Sequence, residues 1–136
     1  MRQETKYDDK GRETEVTWYD DSGSIAENEL GVARMKSTYL NDDGVSREEH
    51  NYDMQGDTID DKMGVAFMRK IWNPETRIMK ETYHNLEGNL VEVFYGFCEV
   101  HYHVDANMVL HSAYCYDKQG QLVEEPVENS TLVAGW

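Results

Sequence analysis

The sequence predicts an all-β protein built as an antiparallel meander of β-hairpins. Three observations lead to this prediction: a turn motif recurs at a fixed period, residues that favour strands fill the intervals between turns, and no segment shows a sustained helical period. We expect an open twisted sheet, with a closed up-and-down barrel as the alternative.

The recurring motif has the form Tyr-Asp-x-x-Gly. It ends at Gly23, Gly56 and Gly120 and, in a degraded form that begins at His84, at Gly88, so the glycines are 33, 32 and 32 residues apart. A second motif, Gly-Val-Ala or a variant of it, recurs at the same spacing. Such periodicity predicts a single domain over 1–136 with four hairpin units of about 32 residues and a tail. The predicted units are 1–30, 31–63, 64–95 and 96–127, and the predicted tail is 128–136.

Each predicted turn combines residues that hydrogen-bond their own backbone with residues that tolerate a positive φ. The turns are expected near 8–11, 20–23, 41–44, 53–56, 73–76, 85–88, 105–107 and 117–120. Short intervals between turns predict one strand of about eight residues. Long intervals predict two strands with a break at the Gly-Val-Ala motif.

Alternation after each Gly-Val-Ala motif predicts which side of the sheet faces the core. The mostly apolar side is expected to carry Ala33, Met35, Ser37, Tyr39, Ala66, Met68, Lys70, Trp72, Cys98, Val100, Tyr102 and Val104. The opposite side carries basic residues, Glu99 and two histidines, together with Phe67 and Ile71, and is expected to be wetter.

The turns at Tyr7-Asp8-Asp9-Lys10-Gly11 and at Tyr19-Asp20-Asp21-Ser22-Gly23 resemble the tyrosine-aspartate repeats of the rearrangement-hotspot family, and the resemblance spans nearly the whole chain. In that family the repeats build hairpin sheets that spiral into a shell around a toxic cargo. The resemblance therefore implies a hairpin sheet. The unit is longer here, and four units are too few to enclose a protein-sized cargo. More loosely, the chain is similar to small hairpin-repeat proteins that act as bacterial antitoxins or immunity proteins.

The composition of the chain indicates which classes of partner it can bind. The 136 residues include 13 basic and 27 acidic side chains, for a net charge of −14. This charge repels phosphate backbones, so we expect no direct nucleic-acid binding and favour a basic partner. No stretch has the length and apolarity of a membrane span and no export signal is recognisable, which predicts a cytoplasmic protein that does not associate with membranes.

The favoured function is a non-enzymatic protein-interaction module, an immunity-like inhibitor of a basic protein. Residues 1–63 hold 17 of the acidic side chains. We expect the partner to contact Asp20, Asp21, Asp42 and Asp43 in the acidic turns. Self-association through unpaired sheet edges is the other expected mode of interaction.

Two alternatives remain open from the residues. A closed barrel predicts a small-ligand site among Met35, Met68, Trp72 and Tyr102. A hairpin with a three-residue loop at 105–107 places His101 opposite His111, and with His103 these imidazoles form a candidate zinc site. No catalytic residue or cofactor is predicted, because the chain shows no nucleophile, phosphate-loop or dinucleotide motif.

Overall fold

The computed structural model describes residues 1–93 and 96–123 and the backbone of 127–128. Its strands form one antiparallel sheet in which each strand pairs with its neighbour in sequence. They are β1 Arg2–Tyr7, β2 Glu13–Tyr19, β3 Arg34–Tyr39, β4 Arg47–Tyr52, β5 Phe67–Asn73, β6 Ile78–His84, β7 Glu99–Val104, β8 Leu110–Tyr116 and β9 Val127–Glu128. The all-β meander is confirmed. Residues 129–136 of the predicted tail lie outside the described residues.

The sheet is open. β1 pairs with β2, and within the described residues no pairing joins β1 to β8 or β9. The closed barrel is therefore wrong. Among the same residues, no helix is long and apolar enough to cross a membrane.

The short turns are built by side-chain capping of the backbone. At 20–23, the Oδ1 of Asp20 accepts hydrogen bonds from the amides of Ser22 and Ser24, at 2.9 and 3.1 Å, and Gly23 adopts a φ of 86°. The same arrangement of caps recurs around Asp8, Asp53, Asn85, Asp105 and Asp117. Because Asp or Asn supplies the acceptor and the fourth residue needs a positive φ, the Asp-x-x-Gly pattern specifies this turn locally.

The turn between β7 and β8 uses the same geometry without glycine. Asp105 caps it, but Met108 occupies the fourth position with a φ of 62°. The turn is therefore longer than the predicted 105–107, and Val104 pairs with Leu110 instead of Met108. The sequence hid this extension because methionine does not signal a left-handed conformation.

Replacing this methionine gives a first prediction. Met108→Gly should raise the free energy of unfolding by about 0.5–1 kcal/mol, because it relieves left-handed strain at a side chain that is 41% exposed. Urea denaturation measures the change. Met54→Gly is the matched control: Met54 is exposed in the turn at 53–56 and has no positive φ, so this substitution should destabilise the protein. A Met108→Gly variant less stable than the wild type would contradict the prediction.

The long intervals differ from the prediction of two strands. After β2, the chain makes one bridge, Tyr19 with Ile25, and then a second tight turn at 28–31 before β3. The Oδ1 of Asn28 accepts the amides of Leu30 and Val32, which a strand would have donated to a neighbour. Asp61 caps an equivalent turn at 61–64 before β5. The intervals before β3 and β5 thus each hold one strand preceded by a capped loop.

The predicted core side of the sheet is confirmed and is called the inner face below. Ala33, Ala66 and Cys98 are 0%, 3% and 1% exposed. Val32 and Val65, from the loops that precede β3 and β5, are also buried and extend this core. The other side, which carries His50, Phe67 and His84, is called the outer face.

Candidate functional site

A buried polar network lies at the centre of the inner face. Lys70 on β5 and Glu81 on β6 are directly opposite each other, and the Lys70 Nζ lies 3.2 Å from the Glu81 Oε1. Both residues are buried, at 4% and 7% exposure. The hydroxyls of Tyr83 and Tyr102 donate to the other oxygen, Oε2, the latter at 3.2 Å. Every oxygen of this carboxylate therefore has a partner.

The two tyrosines act as hydrogen-bond donors in this network. Burial, together with the negative charge of Glu81 and the hydrogen bond to it, raises the pKa of Tyr83 and of Tyr102. Both phenols therefore stay protonated. The network therefore holds the two hydroxyls as donors to Glu81 and does not activate either of them as a nucleophile.

An open groove lies beside this network on the inner face. Its volume is about 320 Å³, and it runs below the loops that precede β3 and β5. Its lining is mostly apolar, from Trp18, Leu30, Val32, Met35, Met63, Val65, Met68, Tyr83 and Val93. The polar lining residues are Asn28, Glu49, Asn51 and Asp61. The groove is therefore an amphipathic site of the size that small-molecule sites have.

The loops above the groove form the most acidic edge of the sheet. The long connections 20–33, 53–66 and 85–98, with the described part of the next one, 117–123, hold four, four, two and one carboxylates, against two lysines. The short turns at the opposite edge, 8–12, 40–46, 74–77 and 105–109, mix six carboxylates with three basic side chains. We call the first the long-connection edge and the second the hairpin edge.

Consecutive long connections are tied to one another. The amide of Lys62 donates to the Leu30 carbonyl at 2.9 Å. The amide of Leu86 donates to Asp60 Oδ1, and that of Lys118 to Glu92 Oε2, each at 3.1 Å. These contacts fix the acidic loops relative to each other, so their charges form an ordered array.

The four predicted partner residues do not share one surface. Asp20 and Asp21 lie at the long-connection edge, whereas Asp42 and Asp43 lie at the hairpin edge, about 20 Å away along the six residues of β3. Asp20 and Asp43 also cap their own turns. The hydrogen bond from the Ser22 hydroxyl lowers the pKa of Asp20. Burial works to raise the pKa of Asp43, but hydrogen bonds, chiefly those from Ser46, outweigh it and lower that pKa.

The predicted pairing of His101 with His111 is wrong. His101 lies opposite Tyr114, and His103 lies opposite Ser112, because the longer turn and a further register shift between His103 and Val104 displace the pairing. The Nε2 of His111 instead contacts Asp105 Oδ2 at 2.9 Å. Within the described part of the chain, no group of three His, Cys, Asp or Glu side chains is placed to hold a metal. The structure therefore does not assemble the zinc site predicted from His101, His103 and His111.

The predicted ligand residues divide into two sets. Met35 and Met68 line the groove, whereas Trp72 and Tyr102 are not among the described residues that line it. Trp72 and Tyr102 lie on either side of Met79, which is 1% exposed, and belong to the packed part of the inner face. Two of the four residues are therefore groove residues.

Sequence reasoning missed an aromatic stack on the outer face. Phe67 lies between His50 and His84, with ring centroids 4.6 and 4.7 Å apart and nearly parallel planes. The three rings come from β4, β5 and β6 in direct register. The signal for it was the recurrence of aromatic or imidazole rings on one face, which becomes visible only once the strand register is known.

Comparison of the chain with protein-family models and with curated proteins finds no match. The resemblance to tyrosine-aspartate repeats therefore stays a prediction, and the function is argued below from the geometry.

Proposed function

We propose that this protein is a non-enzymatic interaction module that binds a basic protein, in the manner of an inhibitor or immunity protein. The observation that carries the proposal is the long-connection edge, which holds eleven carboxylates and two lysines on loops that are hydrogen-bonded to one another. An ordered array of like charges attracts a complementary surface without first having to organise itself.

The proposal also selects among the predicted contact residues. Asp21 belongs to the binding edge, together with its exposed neighbours Glu27 and Glu29. Asp42 and Asp43 lie at the other edge and are outside the contact surface. Asp20 contributes charge while it caps its turn.

The test removes three negative charges from one edge or from the other and compares the resulting affinities. Asp21→Asn, Glu27→Gln and Glu29→Gln together should weaken binding of a fluorescent oligolysine peptide about tenfold at low ionic strength, since each exposed pair contributes a few tenths of a kcal/mol or more. The matched control is Asp9→Asn, Asp42→Asn and Glu75→Gln at the hairpin edge, where all three side chains are exposed. Fluorescence anisotropy measures both affinities.

The dependence of the affinity on ionic strength is the second measurement. Binding to the wild type should fall between about 0.01 and 0.15 M ionic strength, because the Debye length shortens from ~30 to ~8 Å. Equal losses for the two triple variants would show that only total charge matters and would overturn the proposal for this edge.

Three further parts of the proposal are a cytoplasmic location, kinship with tyrosine-aspartate repeats and self-association, and each has a supporting observation. Cys98 and Cys115 are not joined in a disulfide, as is typical of proteins in the reducing cytoplasm. Tyr7, Tyr19 and Tyr52 each precede a capped turn, which supports kinship with tyrosine-aspartate repeats. Self-association is the alternative mode of interaction, and it would use the edge of β1 that pairs with no described strand.

A further inference from the structure

We propose that the groove on the inner face binds a small organic cation, an ammonium or guanidinium group on an apolar body. This site lies below the loops of the long-connection edge and includes Asp61 from it, but its ligand is a small molecule in the groove and not a docked protein. Its volume of about 320 Å³ is at the lower end of the range for small-molecule sites, and nine of its thirteen lining residues are apolar or aromatic. The lining thus accommodates an apolar body of modest size.

Two carboxylates in the groove each have an oxygen available for a ligand. The Oε1 of Glu49 accepts from Arg47 Nε at 3.0 Å, and the Oδ1 of Asp61 accepts the amides of Met63 and Val65. Within the described residues, Glu49 Oε2 and Asp61 Oδ2 accept no hydrogen bond. A ligand with N–H donors would satisfy them, and charge assistance makes such bonds strong.

The other polar groups of the groove do not favour an anion. Asn51 Nδ2 already donates to the Val65 carbonyl at 3.0 Å, and Asn28 Oδ1 accepts two backbone amides. No Lys, Arg or His is among the described residues that line the groove. An anionic ligand would therefore meet carboxylates without a compensating cation in the lining.

Aromatic rings add a second attraction for a cation. Trp18 and Tyr83 line the groove, and aromatic faces attract ammonium and guanidinium groups. The carboxylates of the surrounding long connections also attract cations. Carboxylates, aromatic faces and an apolar lining together select a cation with an apolar body over a neutral or anionic analogue.

The test uses three probes with one aromatic body and different charge: 2-phenylethylamine, 2-phenylethanol and phenylacetate. NMR titration follows the backbone amides of Leu30 and Met63 and the indole N–H of Trp18. We expect the amine to bind at least about tenfold more tightly than the alcohol, and phenylacetate to cause no saturable shift. Equal affinity for amine and alcohol, or binding of phenylacetate, would overturn the proposal.

Two pairs of variants locate the site. Leu30→Lys places a cation at the groove itself and should weaken amine binding by more than about tenfold, whereas Leu40→Lys at the hairpin edge should leave it unchanged. The two leucines are matched in exposure, at 40% and 43%. Glu49→Gln should weaken binding about tenfold, and Glu48→Gln on the outer face should not.

Thermal unfolding of each variant shows whether it is folded under the titration conditions. If Glu49→Gln unfolds because it weakens the contact with Arg47, the leucine pair decides the result. Unchanged amine affinity in a folded Leu30→Lys variant would overturn the groove as the site. Because the probes are free small molecules, failure of oligolysine binding at the long-connection edge has no bearing on this outcome.

Discussion

Lys70→Met is expected to lower the free energy of unfolding by about 3–5 kcal/mol. The substitution removes the one cation that, among the described residues, is paired with Glu81, and it leaves a carboxylate that is 7% exposed. Breaking one partner of a buried ion pair is costly because the remaining charge loses its compensation but stays away from water. Urea denaturation followed by far-UV circular dichroism measures the change.

Lys80→Met is the control for this substitution. Lys80 lies on β6 next to Glu81 in sequence, and its Nζ is 3.6 Å from Glu99 Oε1, but its side chain is 52% exposed. An exposed pair contributes at most about 1 kcal/mol. Equal losses for Lys70→Met and Lys80→Met would contradict burial as the cause.

The double variant Lys70→Met with Glu81→Gln separates charge from packing. Glutamine keeps a carbonyl oxygen that accepts hydrogen bonds from the tyrosine hydroxyls, while it removes the uncompensated charge. We expect it to recover more than half of the stability lost in Lys70→Met. A double variant as unstable as the single one would show that the loss comes from the lysine methylenes.

Local chemistry explains which parts of the fold were predictable. The turn at 20–23 follows from one acceptor, Asp20, and one glycine, and both are visible in sequence. The turns at 28–31 and 61–64 carry the same signal, Asn or Asp followed three residues later by glycine, and they stand where the Gly-Val-Ala motif predicted a break between two strands. The same local rule therefore accounts for these turns as well.

The register between neighbouring strands explains which side-chain contacts could not be predicted from the sequence. The longer turn with a positive φ at Met108 and the register shift between His103 and Val104 together displace the pairing of β7 with β8 and remove the expected contact between His101 and His111. The pair of Lys70 and Glu81 also depends on register, because the two residues are brought opposite each other by the turn that begins at Asn73. Sequence alternation placed Lys70 on the inner face, but it did not reveal its partner.

The groove depends on contacts that are remote in sequence. Its walls combine strand residues such as Met35 and Met68 with loop residues such as Leu30 and Met63. Alternation correctly assigned the two strand methionines to the inner face. The alternation did not show that the capped loops leave an open space above Met35 and Met68. The position of these loops depends on hydrogen bonds between successive long connections, which the sequence does not reveal.

The second large effect is expected for Met79→Ala, which should lower the free energy of unfolding by about 2–5 kcal/mol. Met79 is 1% exposed and lies between Trp72 and Tyr102 on the neighbouring strands. Its truncation removes buried apolar area and leaves a cavity that its neighbours fill only in part. Thermal and urea denaturation measure the loss.

Met68→Ala deletes the same atoms from a different environment and therefore tests the groove. Met68 lines the open space, so the volume released by the truncation joins the groove instead of forming a closed cavity. We expect a loss of about 1–2 kcal/mol, smaller than for Met79→Ala. Equal losses would mean that Met68 is as tightly packed as Met79 in solution. The inner face would then be a continuous core, and neither its groove nor the cation site proposed there would exist.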